Sequence, residues 1–193
     1  LKGEITIGIY PLLPGDTCNF LAIDFDKRTY EQDVTAFWNT CDELNIPIYV
    51  EKSRSGNGAH IWIFFEESMP ANVVRKMGNI LLTKTMEKAS LVLNSYDRLF
   101  PNQDTVPKGG FGNLIALPYQ GESSKEGNTV FVNKYFEPEK NQIDILTGIK
   151  RMTSDVVYEF VNKYKEDDYN EPKIEEISDD EIPKKEKLKD IIF

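Results

Sequence analysis

The sequence predicts an α+β domain built on a mixed, largely antiparallel sheet. Two observations carry this. Apolar residues recur with a period of two in some segments and at helical spacing in others. The segments run strand, strand, helix, hairpin, helix, an order that does not build the alternating units of a doubly wound fold. The 193 residues suffice for one packed domain, and 40% hydrophobic with 11% aromatic content supplies its core.

Residues 5–10 alternate Ile-Thr-Ile-Gly-Ile-Tyr as a strand does, and 11–15, with two prolines and a glycine, turn the chain. Residues 20–26, Phe-Leu-Ala-Ile-Asp-Phe-Asp, read as a buried strand ending in two carboxylates. Over 31–44, Val34, Phe37, Trp38, Cys41 and Leu44 fall at helical spacing. Pro47 closes that connection and 48–50 begin a strand. Residues 53–58 form a polar, glycine-containing turn before a strand at 61–65, so the two strands make a hairpin. Pro70 opens a long helix reaching about residue 93. Residues 94–112 read as loop, interrupted by Pro101, Pro107, Gly109 and Gly110. Strands at 114–117 and 129–132 flank a polar loop, and helices over 142–150 and 154–165 finish the body.

The net charge of −9 is unevenly spread. Residues 166–193 hold eleven acidic and five basic side chains, a net of −6, while the preceding 165 hold 21 and 18, a net of −3. The body over 1–165 is nearly balanced, so nucleic acid is not excluded as its partner. The segment 166–193 reads as an acidic linker or tail, with 188–193 able to dock. No apolar run of about 18 residues exists, so no membrane span is expected, and no signal peptide is visible. Cys18 and Cys41 lie in apolar contexts without metal-ligand spacing, as expected of buried free thiols in a cytoplasmic protein. Leu1 is not a natural start, and the chain is expected to be a piece of a longer one.

Three features can carry chemistry. Side chains alternate along a strand, so Asp24 and Asp26 share a face. Like charges that close are unfavourable without a cation between them, and hard oxygen ligands suit a divalent metal. The same dipeptide also ends strands as a solvated turn, and spacing alone does not choose. An EF-hand is excluded, because its required Gly and Glu positions hold Thr29 and Thr35. The second feature is Ser53-Arg54-Ser55-Gly56-Asn57-Gly58-Ala59-His60. Glycines beside hydroxyls expose N–H groups suited to phosphate, Arg54 adds a fork of donors, and His60 is the only histidine. An ordinary hairpin turn with a half-buried histidine fits equally. It is not a Walker loop, since no Gly-Lys-Ser/Thr follows. The third is the polar stretch 95–104 and the glycine-rich 109–118, a loop long enough to suggest function. Asp97 or Asp104 can complete a three-carboxylate site.

In this order the features resemble the archaeo-eukaryotic primase superfamily, with its strand ending Asp-x-Asp, its small-residue turn ending in His and its later Asp. Asp24 and Asp26 match the first motif, Ser53 to His60 the second and Asp97 the third, with Asp104 the alternative. Tyr-Pro-Leu-Leu-Pro, Ser-Arg-Ser-Gly-Asn-Gly-Ala-His-Ile-Trp, Phe-Pro-Asn-Gln-Asp and Gly-Gly-Phe-Gly-Asn-Leu-Ile-Ala-Leu-Pro look like signatures of its primase-polymerase subgroup in TOTE conflict systems and CRISPR-associated proteins. The resemblance covers about residues 5–150. It implies an RNA-recognition-like mixed or antiparallel sheet flanked by helices, and a template-directed DNA primase-polymerase. It further implies two Mg2+ or Mn2+ ions, roughly 3.5–4 Å apart, on the catalytic carboxylates Asp24, Asp26 and Asp97. Ser53, Arg54, Ser55, Gly56, Asn57, Gly58 and His60 would bind the nucleotide, with Asn113 in support. The implied partners are single-stranded DNA template, primer and dNTP or NTP, with CRISPR, helicase or nuclease components in the longer protein.

Two positions depart from the related end-joining polymerases. Asn57 stands where they carry Lys, and Tyr119-Gln120 follow Pro118 without their Arg. Arg54, Arg98 or Lys108 are the available substitutes. Rival readings are a two-metal nuclease, a non-catalytic nucleic-acid-binding module that stacks bases on exposed aromatics, and a structural domain with a decayed site.

Overall fold

The structure, a computed structural model, describes residues 5–27 and 29–164. The acidic segment 166–193, with the docking expected of 188–193, lies outside the described residues. In chain order the elements are β1 (Gly8–Ile9), β2 (Thr17–Asp26), α1 (Tyr30–Glu43), β3 (Tyr49–Lys52), β4 (Gly58–Pro70) and α2 (Ala71–Ala89). They continue with β5 (Tyr96–Phe100), β6 (Ile115–Ala116), α3 (Gly121–Lys125), α4 (Gln142–Thr147), β7 (Arg151–Met152) and α5 (Ser154–Lys163). The main sheet runs β3-β4-β2-β5 with antiparallel neighbours, and β7 joins β4 in parallel. The α+β class with a mixed, mainly antiparallel sheet is therefore observed.

Alternation along β2 splits the sheet into two faces. Leu21, Ile23 and Phe25 enter the main core with Ala59, Ile61, Ile63 and Phe65 of β4. Val34, Phe37 and Cys41 of α1 and Val74, Met77, Ile80 and Leu81 of α2 close that core from one side. Phe37 is fully buried and meets Phe25 edge-on at 6.0 Å, so truncating it to Ala would cost about 3–5 kcal/mol. α1 stops where Asn45 turns left-handed at φ 56°, and α2 where Ser90 does so at φ 50°. On the opposite face Phe20, Ala22, Trp62, Phe100, Ile115 and Phe131 form a smaller cluster. β1 and β6 pair into a small second sheet, and Ile115 of β6 packs into that cluster. Cys18 and Cys41 are buried free thiols, with burial pushing the Cys18 thiol up to about 12.

Several segments differ from expectation. The stretch expected as loop from residue 94 contains β5, an edge strand paired to β2. Residues 121–125, read as polar loop, form a short helix. The helix expected over 142–150 stops at Thr147 before Gly148, and the following Arg151 and Met152 form β7 against Phe64 and Phe65. The strand expected at 129–132 follows β3 through single bridges. Lys52 N–H donates to the Val130 carbonyl at 3.0 Å and Val132 N–H to the Val50 carbonyl at 2.9 Å. A positive φ of 53° at Thr129 keeps it from becoming regular.

Candidate active site

One register row crosses the sheet. Glu51 of β3 lies opposite His60 of β4, His60 opposite Asp24 of β2, and Asp24 opposite Arg98 of β5. The row thus alternates acid, imidazole, acid, guanidinium on the face away from the helices. His60 Nδ1 is 3.2 Å from Glu51 Oε2, and His60 Nε2 is 3.7 Å from Asp24 Oδ1. Burial alone would push the His60 imidazole down. The hydrogen bond and charge of Glu51, with the charges of Asp24 and Asp26, outweigh it and hold His60 above its ordinary value.

Asp24 moves the other way from a well-paired carboxylate. Burial raises its pKa first, and the carboxylates of Asp97 and Asp26 raise it further against the attraction of His60 and Arg98. Asp97 reaches this face through a β-bulge. Arg98 pairs with Asp24 and Tyr96 with Phe25, which leaves Asp97 as the extra residue between them. Strict alternation would send Asp97 to the helix side with the buried Leu99. Instead Asp97 is exposed and accepts from Arg98 Nε at 2.7 Å. Ser95 anchors the entry to this strand, donating its N–H and hydroxyl to the buried Asp33 carboxylate at 2.8 and 2.5 Å.

Asp104 is placed elsewhere. It pairs with Arg75 of α2 at 2.7 Å, and nearby Val106 N–H donates to Asp16 at the start of β2. Eight residues of strand separate Asp16 from Asp24, about 26 Å at ~3.3 Å per residue.

The turn before His60 is bound to itself. Ser53 N–H donates to the Gly58 carbonyl, Gly56 N–H to the Ser53 carbonyl, and Asn57 N–H to Ser55 Oγ. Those three amides are engaged within the turn, including that of Gly56, one of the two glycines expected to offer N–H groups to phosphate. Gly56 sits at φ 75°, which explains the glycine. At Gly58 a Cβ would stand 2.4 Å from the Phe25 carbonyl oxygen, so this glycine lets β4 approach β2 beside Asp26. Ser53 and Ser55 hydroxyls lie 3.1 Å apart, and Arg54 is exposed with its guanidinium 3.4 Å from Thr6 Oγ1. Lys108 is exposed and Asn113 half-buried on the loop leading to β6, which pairs with β1 and not with the carboxylate strands.

The family description of the archaeo-eukaryotic primase domain of the TOTE conflict system matches residues 1–160 of the chain. The chain belongs to that family. No curated protein matches it. Membership implies primase, nucleotidyltransferase-type activity, nucleotide and nucleic-acid substrates, and divalent metal. Among the described residues of this primase domain, no group of three or more His, Cys, Asp and Glu is arranged to hold a metal as it stands. The donor set nevertheless suits one. After burial, the carboxylates of Asp97 and Asp26 help hold Asp24 above its ordinary value, and Arg98 occupies Asp97. No helix among the described residues is long and apolar enough to cross a membrane.

Sequence reasoning missed Glu51 and Asp33. A signal for Glu51 existed, because a hairpin closed around 53–58 pairs position 51 with position 60. Asp33 gave none, being one acid in the polar first turn of a helix.

Proposed function

We propose that residues 1–165 are the catalytic domain of a template-directed DNA primase-polymerase. It makes primers de novo and extends them from dNTPs or NTPs on single-stranded DNA. The observation that supports this most is the row Glu51–His60–Asp24–Arg98 with the Asp26 and Asp97 carboxylates beside Asp24. Asp24, Asp26 and Asp97 would hold Mg2+ or Mn2+. Bound divalent ions supply neutralisation of the leaving pyrophosphate and activation of the attacking 3′-hydroxyl.

The protein's own groups then orient the nucleotide. As an imidazolium His60 offers Nε2–H to the triphosphate, and Arg54 and the Ser53 and Ser55 hydroxyls offer further donors. Gly56, Asn57 and Gly58 serve as the frame that holds those groups, since the Gly56 and Asn57 amides are committed to the turn and Gly58 to the close approach of β4 to β2. Arg98, 2.7 Å from Asp97, would be available to phosphate if Asp97 held the metal, and Lys108 and Asn113 are further candidates for contact with nucleotide or strand. Association with CRISPR, helicase or nuclease components belongs to this proposal and stands on the motif resemblance.

The test is primer synthesis and extension on single-stranded DNA with Mg2+ or Mn2+. Activity is expected from the parent and not from Asp24→Ala/Asp26→Ala. Retained activity in that variant, or cleavage of labelled DNA in place of extension, would overturn the reading.

A further inference from the structure

We infer that Glu51 is a positioning residue that holds the Nδ1 proton of His60 and so presents Nε2 to the carboxylate face, where the triphosphate is proposed to bind. The functional half of this inference rests on the proposed nucleotide site; the structural half does not.

Glu51 is fully buried, in the middle of a strand whose neighbours Val50 and Phe131 are apolar. An apolar side chain would satisfy packing there, whereas a buried carboxylate costs free energy unless its oxygens are used. Glu51 uses one. Oε2 receives the Trp62 indole N–H at 2.9 Å and faces His60 Nδ1 at 3.2 Å, while Oε1 is buried without a hydrogen-bond partner. Oε2 already accepts from Trp62, so it faces His60 as an acceptor, and the tautomer that pairs with it carries its hydrogen on Nδ1. With Nδ1 fixed on Glu51, the ring has one orientation, and Nε2 points to Asp24 Oδ1 at 3.7 Å. Trp62, two residues along the same face, stands with its ring centroid 6.2 Å from that of the imidazole and at 90° to it. Glu51 therefore does not touch the nucleotide site; it sets which nitrogen does.

The chain contains a single histidine, so the 15N-labelled protein gives one set of imidazole nitrogen signals. The parent is expected to show a protonated Nδ1. In Glu51→Gln one neutral oxygen replaces the carboxylate oxygen that Trp62 and His60 share, so the Nδ1 hydrogen bond is expected to weaken, read as a shift of the Nδ1 signal. KM for the nucleotide should rise about tenfold, the equivalent of one hydrogen bond to a charged group, with kcat changed less than threefold. A residue needed only for folding would lower the unfolding midpoint without separating KM from kcat. An unprotonated Nδ1 in the parent overturns the inference without any variant, and so does an unchanged KM in a folded Glu51→Gln. If the parent used no nucleotide, the proposed function would fall, and the imidazole signals would still decide whether Glu51 holds His60.

Discussion

Replacing Asp33 by Ala should loosen the joint between helix α1 and the strand that carries Asp97. Asp33 is 3% exposed and Ser95 fully buried. One carboxylate oxygen of Asp33 receives both the N–H and the hydroxyl of Ser95, at 2.8 and 2.5 Å. The Ser95 carbonyl in turn receives the N–H of Asp26 at 2.7 Å. A hydrogen bond to a charged group contributes about 1.5–3 kcal/mol, and an orphaned buried donor adds to the loss. The hydroxyl can rotate toward another acceptor and the amide cannot, so the expected loss is about 3–5 kcal/mol, a large part of the ~5–15 kcal/mol of a typical domain. Asp33→Asn keeps the shape and an acceptor but not the charge, and should lose roughly half as much. Urea unfolding at constant m-value measures both. A cycle with Ser95→Ala should give a coupling of about 1–3 kcal/mol. Primer extension per folded molecule should fall as well, since Asp97 lies two residues beyond the joint. A loss under about 1 kcal/mol with no coupling would refute the reasoning.

Other substitutions separate packing from chemistry. Gly58→Ala forces a Cβ against the Phe25 carbonyl oxygen and should cost about 1–3 kcal/mol by overpacking, read as a lower urea midpoint. Asp24→Asn should raise the unfolding midpoint at neutral pH while abolishing extension. Its folded pKa lies above the ordinary 3.8, first through burial. The native state therefore binds the extra proton, and stability falls as pH rises from about 3.8 through the folded value. Above that window the penalty is complete and the amide removes it, so the gain should vanish in acid. Asp97→Ala should abolish extension. Asp104→Ala should leave it intact and cost about 1 kcal/mol, because Asp104 is half-exposed, although its partner Arg75 is largely covered.

The parts of the fold that announced themselves are those with one clean period. β2 and β4 alternate between a packed face and the opposite one, which made Asp24, Asp26 and the hairpin visible. The faces of α1 and α2 were visible for the same reason at helical spacing. β5 was hidden because the extra residue at Asp97 breaks its alternation, so buried Tyr96, Leu99 and Phe100 follow no single period. β7 is two residues long and exists only because Phe64 and Phe65 offer it an edge. The glycines of the turn suggested free amides, but which N–H groups remain free depends on how the turn closes, and composition does not carry that. Glu51 read as one polar residue among others because its importance lies in what sits across the hairpin.

The bulge at Asp97 also bears on how such a site arises and is lost. It is a change in chain length, not in side-chain type, that sets Asp97 and Arg98 side by side on one face. Point substitutions elsewhere in β5 leave that arrangement available, whereas a one-residue deletion between Ser95 and Leu99 removes it in a single step and keeps the buried core residues of β2 and β4 unchanged. Relatives that retain the helices and the Asp-x-Asp strand but differ by one residue in this edge strand would then fold alike and differ in whether they synthesise anything.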